Sequence, residues 1–180
     1  DYIVTHMGSH NDTSEKEGLS RLKAALKVII EKTKDSSVGI LLENTAGAGS
    51  WLGYKFEHQA EVMAGLGFNP RLGLCLDTAH AYLAGYDLST KDGLYSTLGE
   101  IDRLIGIKYI RLIHLNDVRG GLGSRCDRHE HIGKGGITGK GIRRILRHPL
   151  LKNKPFILET PKDNENSDKV NLAMVRRLIS

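Results

Sequence analysis

Five short apolar segments of this sequence each end on a side chain that can bind a metal ion. The terminal residue is a histidine, an aspartate or a glutamate in every case: His6, Glu43, Asp77, His114 and Glu159. They follow one another at spacings of 37, 34, 37 and 45 residues, close to the length of one strand–helix unit. Strands commonly end on polar residues, but five consecutive ends of this kind are better explained by one shared site.

Three further residues extend this set of candidate metal ligands. His80 follows Asp77 at the same strand exit. Asp127 and His129 are two residues apart, so an extended backbone places both side chains on the same side. The eight candidates comprise four imidazoles and four carboxylates, a donor set that suits catalytic zinc, manganese or iron better than a structural zinc site. Because zinc takes about four ligands, the set predicts two or three ions, and such a cluster favours phosphoester hydrolysis.

Glu43 leaves an apolar strand for the glycine-rich segment 44–50. No lysine or arginine adjoins it in the sequence, so a bound cation is the expected counter-charge for its buried carboxylate. The loop glycines would allow close approach to a phosphate. No Gly-Lys-Ser/Thr follows them, which excludes a P-loop.

The remaining histidines and cysteines have simpler structural interpretations. His58 and His148 lie within or at the end of predicted helices, and His131 is a candidate support for the ligands. Cys75, inside an apolar strand, is expected to be a small buried hydrophobe. The loop after the fourth strand is crowded with basic residues: Arg119, Arg125, Arg128 and Lys134. Phosphate contacts and a solvated loop are equally good explanations for them.

Near-continuous apolar strands alternate with amphipathic helical segments, the pattern of a parallel sheet built from strand–helix units. The predicted strands are 2–5, 38–42, 72–76, 109–115 and 155–158. The predicted helices are 15–34, 55–65, 92–105, 138–147 and 166–179, the first capped by Thr13 or Ser14. Parallel barrel strands run in one direction, so their ends should converge on the face where active sites lie. No linker divides the chain, and we expect a single α/β domain over residues 1–180.

The composition excludes several other classes of protein. With 180 residues, of which 39% are hydrophobic, the chain can bury a core, yet it has no apolar run long enough to span a membrane. Two cysteines exclude a disulfide framework and a four-thiolate zinc site, and their scarcity fits a reducing, cytoplasmic location. The chain begins at Asp1 within a strand, with no signal-peptide pattern. A net charge of +5 is compatible with a nucleic-acid partner without indicating one by itself.

Four multi-residue motifs follow one another along the chain: LENTAGAGSWLG, CLDTAHAYLAGYDL, HLNDVRGGLGSRCDRHEHIGKGGI and ILETP. In this order they resemble the endonuclease IV family of apurinic/apyrimidinic DNA-repair endonucleases, from His6 to about Pro161. The resemblance implies a (β/α)8 TIM barrel that cleaves double-stranded DNA 5′ to an abasic site, leaving a 3′-hydroxyl and a 5′-deoxyribose phosphate. It also implies up to three zinc ions, with manganese as an alternative, in a monomeric enzyme of the cytoplasm or nucleoid.

The resemblance assigns a role to each candidate ligand. Glu43 would bridge the first and second zinc ions, and His6 would bind the first. The ligands that complete the second ion would be Asp77, His114 and Glu159. Those of the third ion would be His80, Asp127 and His129. The catalytic carboxylates would then be Glu43, Asp77 and Glu159, and the expected contacts to DNA phosphates are Arg125, Arg128 and Asn116.

Two features depart from the family pattern. Met7 stands where the family's HPGSH motif has proline, a change that affects backbone stiffness rather than ligation. The family's first three strands, and a further histidine ligand of the first zinc, would precede Asp1. We therefore expect about the last five βα units of a barrel, an open sheet whose edges are the strands at residues 2 and 155, and an incomplete first zinc site.

Two other functions stay open on the sequence alone. A sugar isomerase or epimerase uses a related barrel with carboxylate and histidine metal ligands, and an inactive fragment would bind metal or DNA without turnover. The number of ligands, the DRHE segment and the basic loop favour the nuclease over the isomerase. Metal content separates the two enzymes, since two or three bound ions indicate the nuclease and one or two the isomerase.

Overall fold

Strands and helices alternate along the chain in the computed structural model, which describes residues 1–180. The strands are β1 (Tyr2–His6), β2 (Gly39–Glu43), β3 (Leu72–Asp77), β4 (Ile110–His114), β5 (Asp117–Val118), β6 (His129–Glu130) and β7 (Phe156–Ile157). The helices are α1 (Glu15–Lys32), α2 (Phe56–Gly65), α3 (Thr78–Ala84), α4 (Lys91–Leu104), α5 (Thr138–Arg147) and α6 (Ser167–Ile179), with a short 3-10 helix at Ile107–Tyr109. Every predicted strand and helix is present, with ends that differ by at most two residues.

Five of the strands form one open parallel sheet in the order β1-β2-β3-β4-β7. Each neighbouring pair is parallel, so the predicted sheet, with β1 and β7 as its edges, is confirmed. The register brings the polar strand ends side by side: His6 pairs with Glu43, and Asp77 pairs with His114. The sheet therefore positions the candidate ligands before any side-chain contact is considered.

The central strands β2 and β3 are buried along their whole length. One face of the sheet packs against the helices in a core of 31 buried residues, among them Leu26, Val62 and Ile101. Alternate residues of the strands form a second, smaller cluster of Leu41, Cys75 and Leu112. Burial on both faces explains the near-continuous apolarity of these strands, and each fully buried aliphatic side chain contributes roughly 2 kcal/mol. No helix combines the length and the apolarity that crossing a bilayer requires.

The first helix is capped by Ser14, one of the two residues that the sequence offered. The Ser14 hydroxyl accepts the backbone N–H of Glu17, and the Glu17 carboxylate accepts the backbone N–H of Ser14 at 3.0 Å. The Thr13 hydroxyl donates instead to the carbonyl of His10. This capping box fixes the start of α1.

The 3-10 helix, the helix α3 and the hairpin β5-β6 were not predicted, and the last two carry candidate ligands. The short helix α3 starts directly after β3, where Oδ1 of Asp77 caps it by accepting the backbone N–H of His80 at 2.7 Å. The antiparallel hairpin β5-β6 pairs Asp117 with Glu130 and Val118 with His129. The hairpin folds the loop after β4 back over the sheet, which places His129 beside the strand ends.

Candidate metal centre

The strand-end carboxylates and His114 form the most compact group of candidate ligands. Nδ1 of His114 lies 2.8 Å from Oε1 of Glu43 and 3.0 Å from Oε2 of Glu159. Oδ2 of Asp77 lies 3.9 Å from the same nitrogen. One potential ligand atom from each of the four residues falls within 4.8 Å of all the others. This is the same set that the motif resemblance assigned to one ion.

A second group joins the end of β3 to the hairpin. Oδ1 of Asp127 lies 3.3 Å from Nε2 of His80 and 3.5 Å from Nε2 of His129. One potential ligand atom from each of Asp77, His80 and His129 also lies within 4.8 Å of the other two. The three residues that the resemblance grouped around another ion are therefore brought together, although they come from α3, a loop and β6.

His6 belongs to a third and smaller group. Its Nε2 lies 3.3 Å from Oε2 of Glu43. His80 is the third member of the group, in which one potential ligand atom from each residue lies within 4.8 Å of the other two. His80 also faces Asp127, and Glu43 also faces His114, so His6 is the one member of this group that belongs to no other.

Histidines supply the counter-charge that buried Glu43 needs. Burial alone would raise the pKa of Glu43, but hydrogen bonds from His114 and His6 outweigh it and bring the pKa to about 2. Burial would likewise lower the pKa of His114, whereas its contacts with Cys75, Glu159 and Glu43 raise it to about 12. A proton on His114 thus offsets the charge of Glu43, and a divalent cation would take over this role.

The donor set fits a divalent transition metal. Nε2 of His129 is buried and has no hydrogen-bond partner, while its Nδ1 lies 2.7 Å from the carbonyl oxygen of Glu159. Nδ1 of His80 lies 2.9 Å from the carbonyl oxygen of Asn44. An Nδ1–H that donates to a backbone carbonyl leaves the lone pair on Nε2, so both rings present a ligand nitrogen to the site. Imidazole and carboxylate donors together suit zinc or manganese.

Asn116, expected from the sequence to contact DNA, has a different place in the structure. It is fully buried, and its amide nitrogen donates to Oδ2 of Asp77 at 2.6 Å. Its amide oxygen accepts the backbone N–H of Glu159 at 2.7 Å. A side chain occupied in this way has no group left for a phosphate, so Asn116 supports two carboxylate ligands instead.

Two other polar residues hold the site together and were missed in the sequence. Asn44 bonds the backbone of Asp77 from both sides, accepting its N–H at 2.8 Å and donating to its carbonyl at 3.0 Å. The buried carboxylate of Asp117 accepts backbone N–H groups of Val118 and of the segment 133–137. Asn44 directly follows the candidate ligand Glu43 and Asp117 stands three residues after His114, and these positions were the available signal, because asparagine and aspartate side chains readily bond nearby backbone.

The histidines and the cysteine that the sequence analysis assigned to structural roles lie outside the three ligand groups, with one exception. His58 accepts the backbone N–H of Gly53, and His131 is held between Asp163 and Asn171. His148 is buried beside the ring of Tyr95. The exception is Cys75, which is fully buried and adjoins Glu43 and His114, and whose thiol pKa burial raises to about 11.

The basic loop between β5 and β6 is exposed. Arg125 and Arg128 both lie at the surface, and the Arg125 guanidinium stacks over the ring of Tyr54 at 4.5 Å from its centroid. Arg119 is paired with Glu130 at 2.7 Å. Arg125 and Arg128 therefore keep their charges available beside the ligand groups, whereas that of Arg119 is partly neutralised.

Comparison with known proteins agrees with this geometry. The sequence profile of the xylose isomerase-like TIM-barrel family matches residues 1–178. A probable endonuclease 4 from Methanoculleus marisnigri is 45% identical over 177 residues, which are 98% of this chain and 63% of that protein. A probable endonuclease 4 from Chloroflexus aurantiacus is 41% identical over 99% of this chain and 63% of its own length. The chain thus spans somewhat less than two thirds of these relatives.

Solved structures show the same relationship. The crystal structure of endonuclease IV from Thermus thermophilus superimposes with a TM-score of 0.83 at 38% identity, covering 99% of this chain and 61% of that one. A D-tagatose 3-epimerase-like protein reaches a TM-score of 0.64 at 21% identity over 100% of this chain and 65% of its own, a similarity of fold alone. The motif resemblance to endonuclease IV is therefore confirmed, and the chain belongs to the xylose isomerase-like TIM-barrel family.

Proposed function

We propose that this chain is part of a zinc-dependent endonuclease that hydrolyses the phosphodiester 5′ to abasic sites in double-stranded DNA. The products would be a 3′-hydroxyl and a 5′-deoxyribose phosphate. The observation that carries the proposal is the convergence of eight imidazole and carboxylate side chains in groups of metal-binding dimensions. The similarity to proteins named endonuclease 4 supports DNA as the substrate. We further propose a monomeric, cytoplasmic enzyme.

Each ligand group would hold one of several neighbouring ions. Glu43 would be shared between two of them, because its two oxygens face His114 and His6 separately. The group of Glu43, Asp77, His114 and Glu159 would hold one ion, and His80, Asp127 and His129 another. When bound, such ions activate a water and stabilise charge on the phosphate and on the leaving oxygen. Zinc suits these donors, with manganese as the alternative.

The remaining residues position the ligands and the substrate. Asn116 would hold the Asp77 carboxylate through its amide nitrogen, which also lies 3.5 Å from Oε2 of Glu159, while its amide oxygen accepts the backbone N–H of Glu159. Arg125 and Arg128 would bind DNA phosphates on the open side of the ligand groups, because both are exposed and neither is paired with a carboxylate. Such contacts place a duplex without reading its sequence.

A sugar isomerase or epimerase is the second candidate. The observation in its favour is the TM-score of 0.64 with the D-tagatose 3-epimerase-like protein, which shows that these strands also occur in barrels of that kind. The eight candidate ligands favour the nuclease, because they exceed what a single ion requires and are enough for two or three. An inactive metal- or DNA-binding fragment is the third candidate.

Incision of a duplex with one tetrahydrofuran abasic analogue tests the proposal. With zinc we expect a cut 5′ to the analogue that leaves an extendable 3′-hydroxyl, no cut in the undamaged duplex, and two or three ions per chain by elemental analysis. A chelator should abolish the cut. Glu43→Gln should lower the rate at least about 100-fold, because it removes a shared ligand charge. The exposed, unpaired Glu165 offers the control Glu165→Gln, which should cut normally.

Three results would contradict the proposal. Turnover of a ketose or aldose without incision would favour the isomerase. Metal binding without either activity would favour the inactive fragment. Incision that Glu43→Gln leaves unchanged would show that the cut does not come from these ligand groups.

A further inference from the structure

The chain has one tryptophan, and it stands at the edge of the ligand groups. The Trp51 ring centroid is 5.5 Å from that of His6, with the two planes at 83°. Trp51 nevertheless stays 45% exposed. An indole exposed to this extent loses hydrophobic stabilisation that burial would provide, so its position beside a metal ligand calls for another explanation.

The backbone holds Trp51 rigidly. Its N–H donates to the carbonyl of Ala48 at 3.1 Å, and it forms an isolated antiparallel bridge with Ser9. On either side, the N–H of Leu52 donates to the carbonyl of Gly8 at 2.8 Å, and the N–H of His10 donates to the carbonyl of Ser50 at 3.1 Å. The main chain that carries the indole is therefore fixed on both sides, and the ring itself packs edge-on against His6.

A cavity of about 200 Å³ opens directly against this indole. Thr45, Gly47 and Ala48 line it from the glycine-rich segment, and Asp127 closes it beside the second ligand group. Gly47 has a φ of +78°, and a Cβ there would stand 2.7 Å from the Tyr54 side chain, so the wall must be bare backbone. Ligand pockets for larger molecules start near about 300 Å³, so this one has room for a single ring.

A cation completes the surroundings of the cavity. Tyr54, which backs Gly47, carries the Arg125 guanidinium on its ring at 4.5 Å from the centroid. No carboxylate lies within ion-pairing distance of Arg125, and the residue is exposed, so its charge is open to a ligand. A flat aromatic surface, a one-ring cavity and a free guanidinium side by side match the three parts of a nucleotide: base, sugar and phosphate.

We propose that Trp51 is a stacking platform for one nucleobase of the bound DNA strand, and that Arg125 binds the adjoining phosphate. This inference rests on the proposed function, since it deepens how the same site takes DNA. Trp51 acts as a positioning residue: it fixes the nucleotide next to the phosphate at the ligand groups and takes no part in bond breaking. Stacking on an aromatic side chain tolerates any base, which suits a strand of arbitrary sequence.

Trp51 emission and DNA binding, measured together, test the platform. The probe is a duplex with a tetrahydrofuran lesion and a phosphorothioate at the 5′ linkage, labelled for fluorescence anisotropy. We expect quenching of Trp51 emission that saturates at the same DNA concentration as the anisotropy, and no quenching by deoxyribose 5-phosphate, which has no base. Trp51→Ala should weaken binding about 5- to 100-fold, and Trp51→Phe, which keeps a ring, by less than about threefold.

The controls separate stacking from a supporting role for Trp51. Tyr95→Ala removes a similarly exposed aromatic ring away from the ligand groups and should bind DNA as the wild type does. All variants should hold the same number of zinc ions, and Trp51→Ala should raise KM more than it lowers kcat. Loss of zinc in Trp51→Ala would overturn the platform, because Trp51 would then merely support His6.

Failure of the platform and failure of the proposed function give different results. If the lesion is incised while Trp51→Ala binds DNA normally and emission does not respond, the platform is wrong and the nuclease stands. If the wild type neither binds nor incises the duplex, the proposed function fails and the platform fails with it. Quenching by a free pentose but not by DNA would overturn both in favour of a sugar substrate.

Discussion

The hydrogen bonds around each imidazole decide which nitrogen can bind a metal. His80 and His129 both direct Nδ1 at a backbone carbonyl, which commits the lone pair to Nε2. His114 is reversed, since its Nδ1 faces Glu43 and Glu159. Hydrogen bonds therefore set the orientation of each imidazole ring separately. For His80 and His129 the partners are backbone carbonyls, which a metal would not displace.

The hydrogen bonds by which Asn116 supports the carboxylate ligands lead to a testable prediction. Asn116→Ala removes a donor to Asp77 and an acceptor for the backbone of Glu159, so both carboxylates lose orientation. We expect zinc affinity to fall about 10- to 100-fold, measured by competition with a chromogenic chelator. Asn153 is exposed and makes no side-chain hydrogen bond, so Asn153→Ala is the matched control and should leave affinity unchanged. Equal affinities for Asn116→Ala and the wild type would contradict the supporting role.

Individual ligands could be read from the sequence, whereas their supports could not. A His, Asp or Glu directly after an apolar run is visible as a pattern, and the parallel sheet brings such ends together. Asn116 looks equally well placed to reach a phosphate. Only the fold shows that Glu159, 43 residues further along the chain, takes up its amide oxygen.

At the scale of elements, one cluster joins α1, the turn at residues 53–55 and α2. Glu15, in the first turn of α1, accepts a hydrogen bond from the Tyr54 hydroxyl at 2.7 Å. Its other oxygen faces Lys55 at 3.3 Å and His58 at 3.4 Å. His58 also accepts the backbone N–H of Gly53, so the cluster reaches the loop that begins at Glu43.

This cluster predicts a pH-dependent contribution to stability. The hydrogen bond from Tyr54 is the largest cause that lowers the pKa of Glu15 to about 2; burial opposes it, and Lys55 adds to it. Because the folded pKa lies below the unfolded value of 4.5, the stabilisation is complete above pH 4.5 and is lost as the pH falls toward 2. Glu15 is partly exposed, so solvent screening reduces the effect to about 1 kcal/mol.

Urea unfolding of wild type and Glu15→Gln at pH 7 and at pH 3 measures that contribution. The wild type should be more stable than the variant at pH 7, and the gap should narrow at pH 3. Glu57 is exposed and unpaired in the neighbouring helix, so Glu57→Gln should track the wild type at both values. A gap that stays constant with pH would show that Glu15 does not act through its charge.

Long elements followed from the sequence, whereas most short ones did not; the two-residue strand β7 is the exception, because it lies in an apolar run. The helix α1 has apolar residues at helical spacing and a capping box, so both its face and its start are encoded locally. The helix α3 is seven residues long and buried through most of them, so it has no amphipathic period. The strands β5 and β6 have two residues each, too few for an alternating pattern, and their pairing depends on Asp117 fixing the segment 133–137.

For the molecule as a whole, the open sheet matters more than any single contact. Barrels of this kind have eight strands in about 250 residues, whereas five parallel strands are present here. Strand β1 pairs only with β2 and β7 only with β4, so each leaves one row of backbone N–H and C=O groups without a strand partner. The monomeric state expected from the sequence therefore depends on these edges being covered.

This geometry predicts how the 180-residue chain behaves on its own. Ile3 on β1 is 62% exposed, and an apolar edge strand pairs readily with another edge. We expect the mean mass from light scattering to rise with protein concentration. Ile3→Lys should suppress this rise without changing the zinc content, because a charged lysine opposes edge pairing. Val170 on α6 is 56% exposed, away from any edge, so Val170→Lys should leave the rise in place. A wild-type chain that stays monomeric at every concentration would contradict this prediction. If both variants suppress the rise in mass equally, the association depends on net charge rather than on the edge strand.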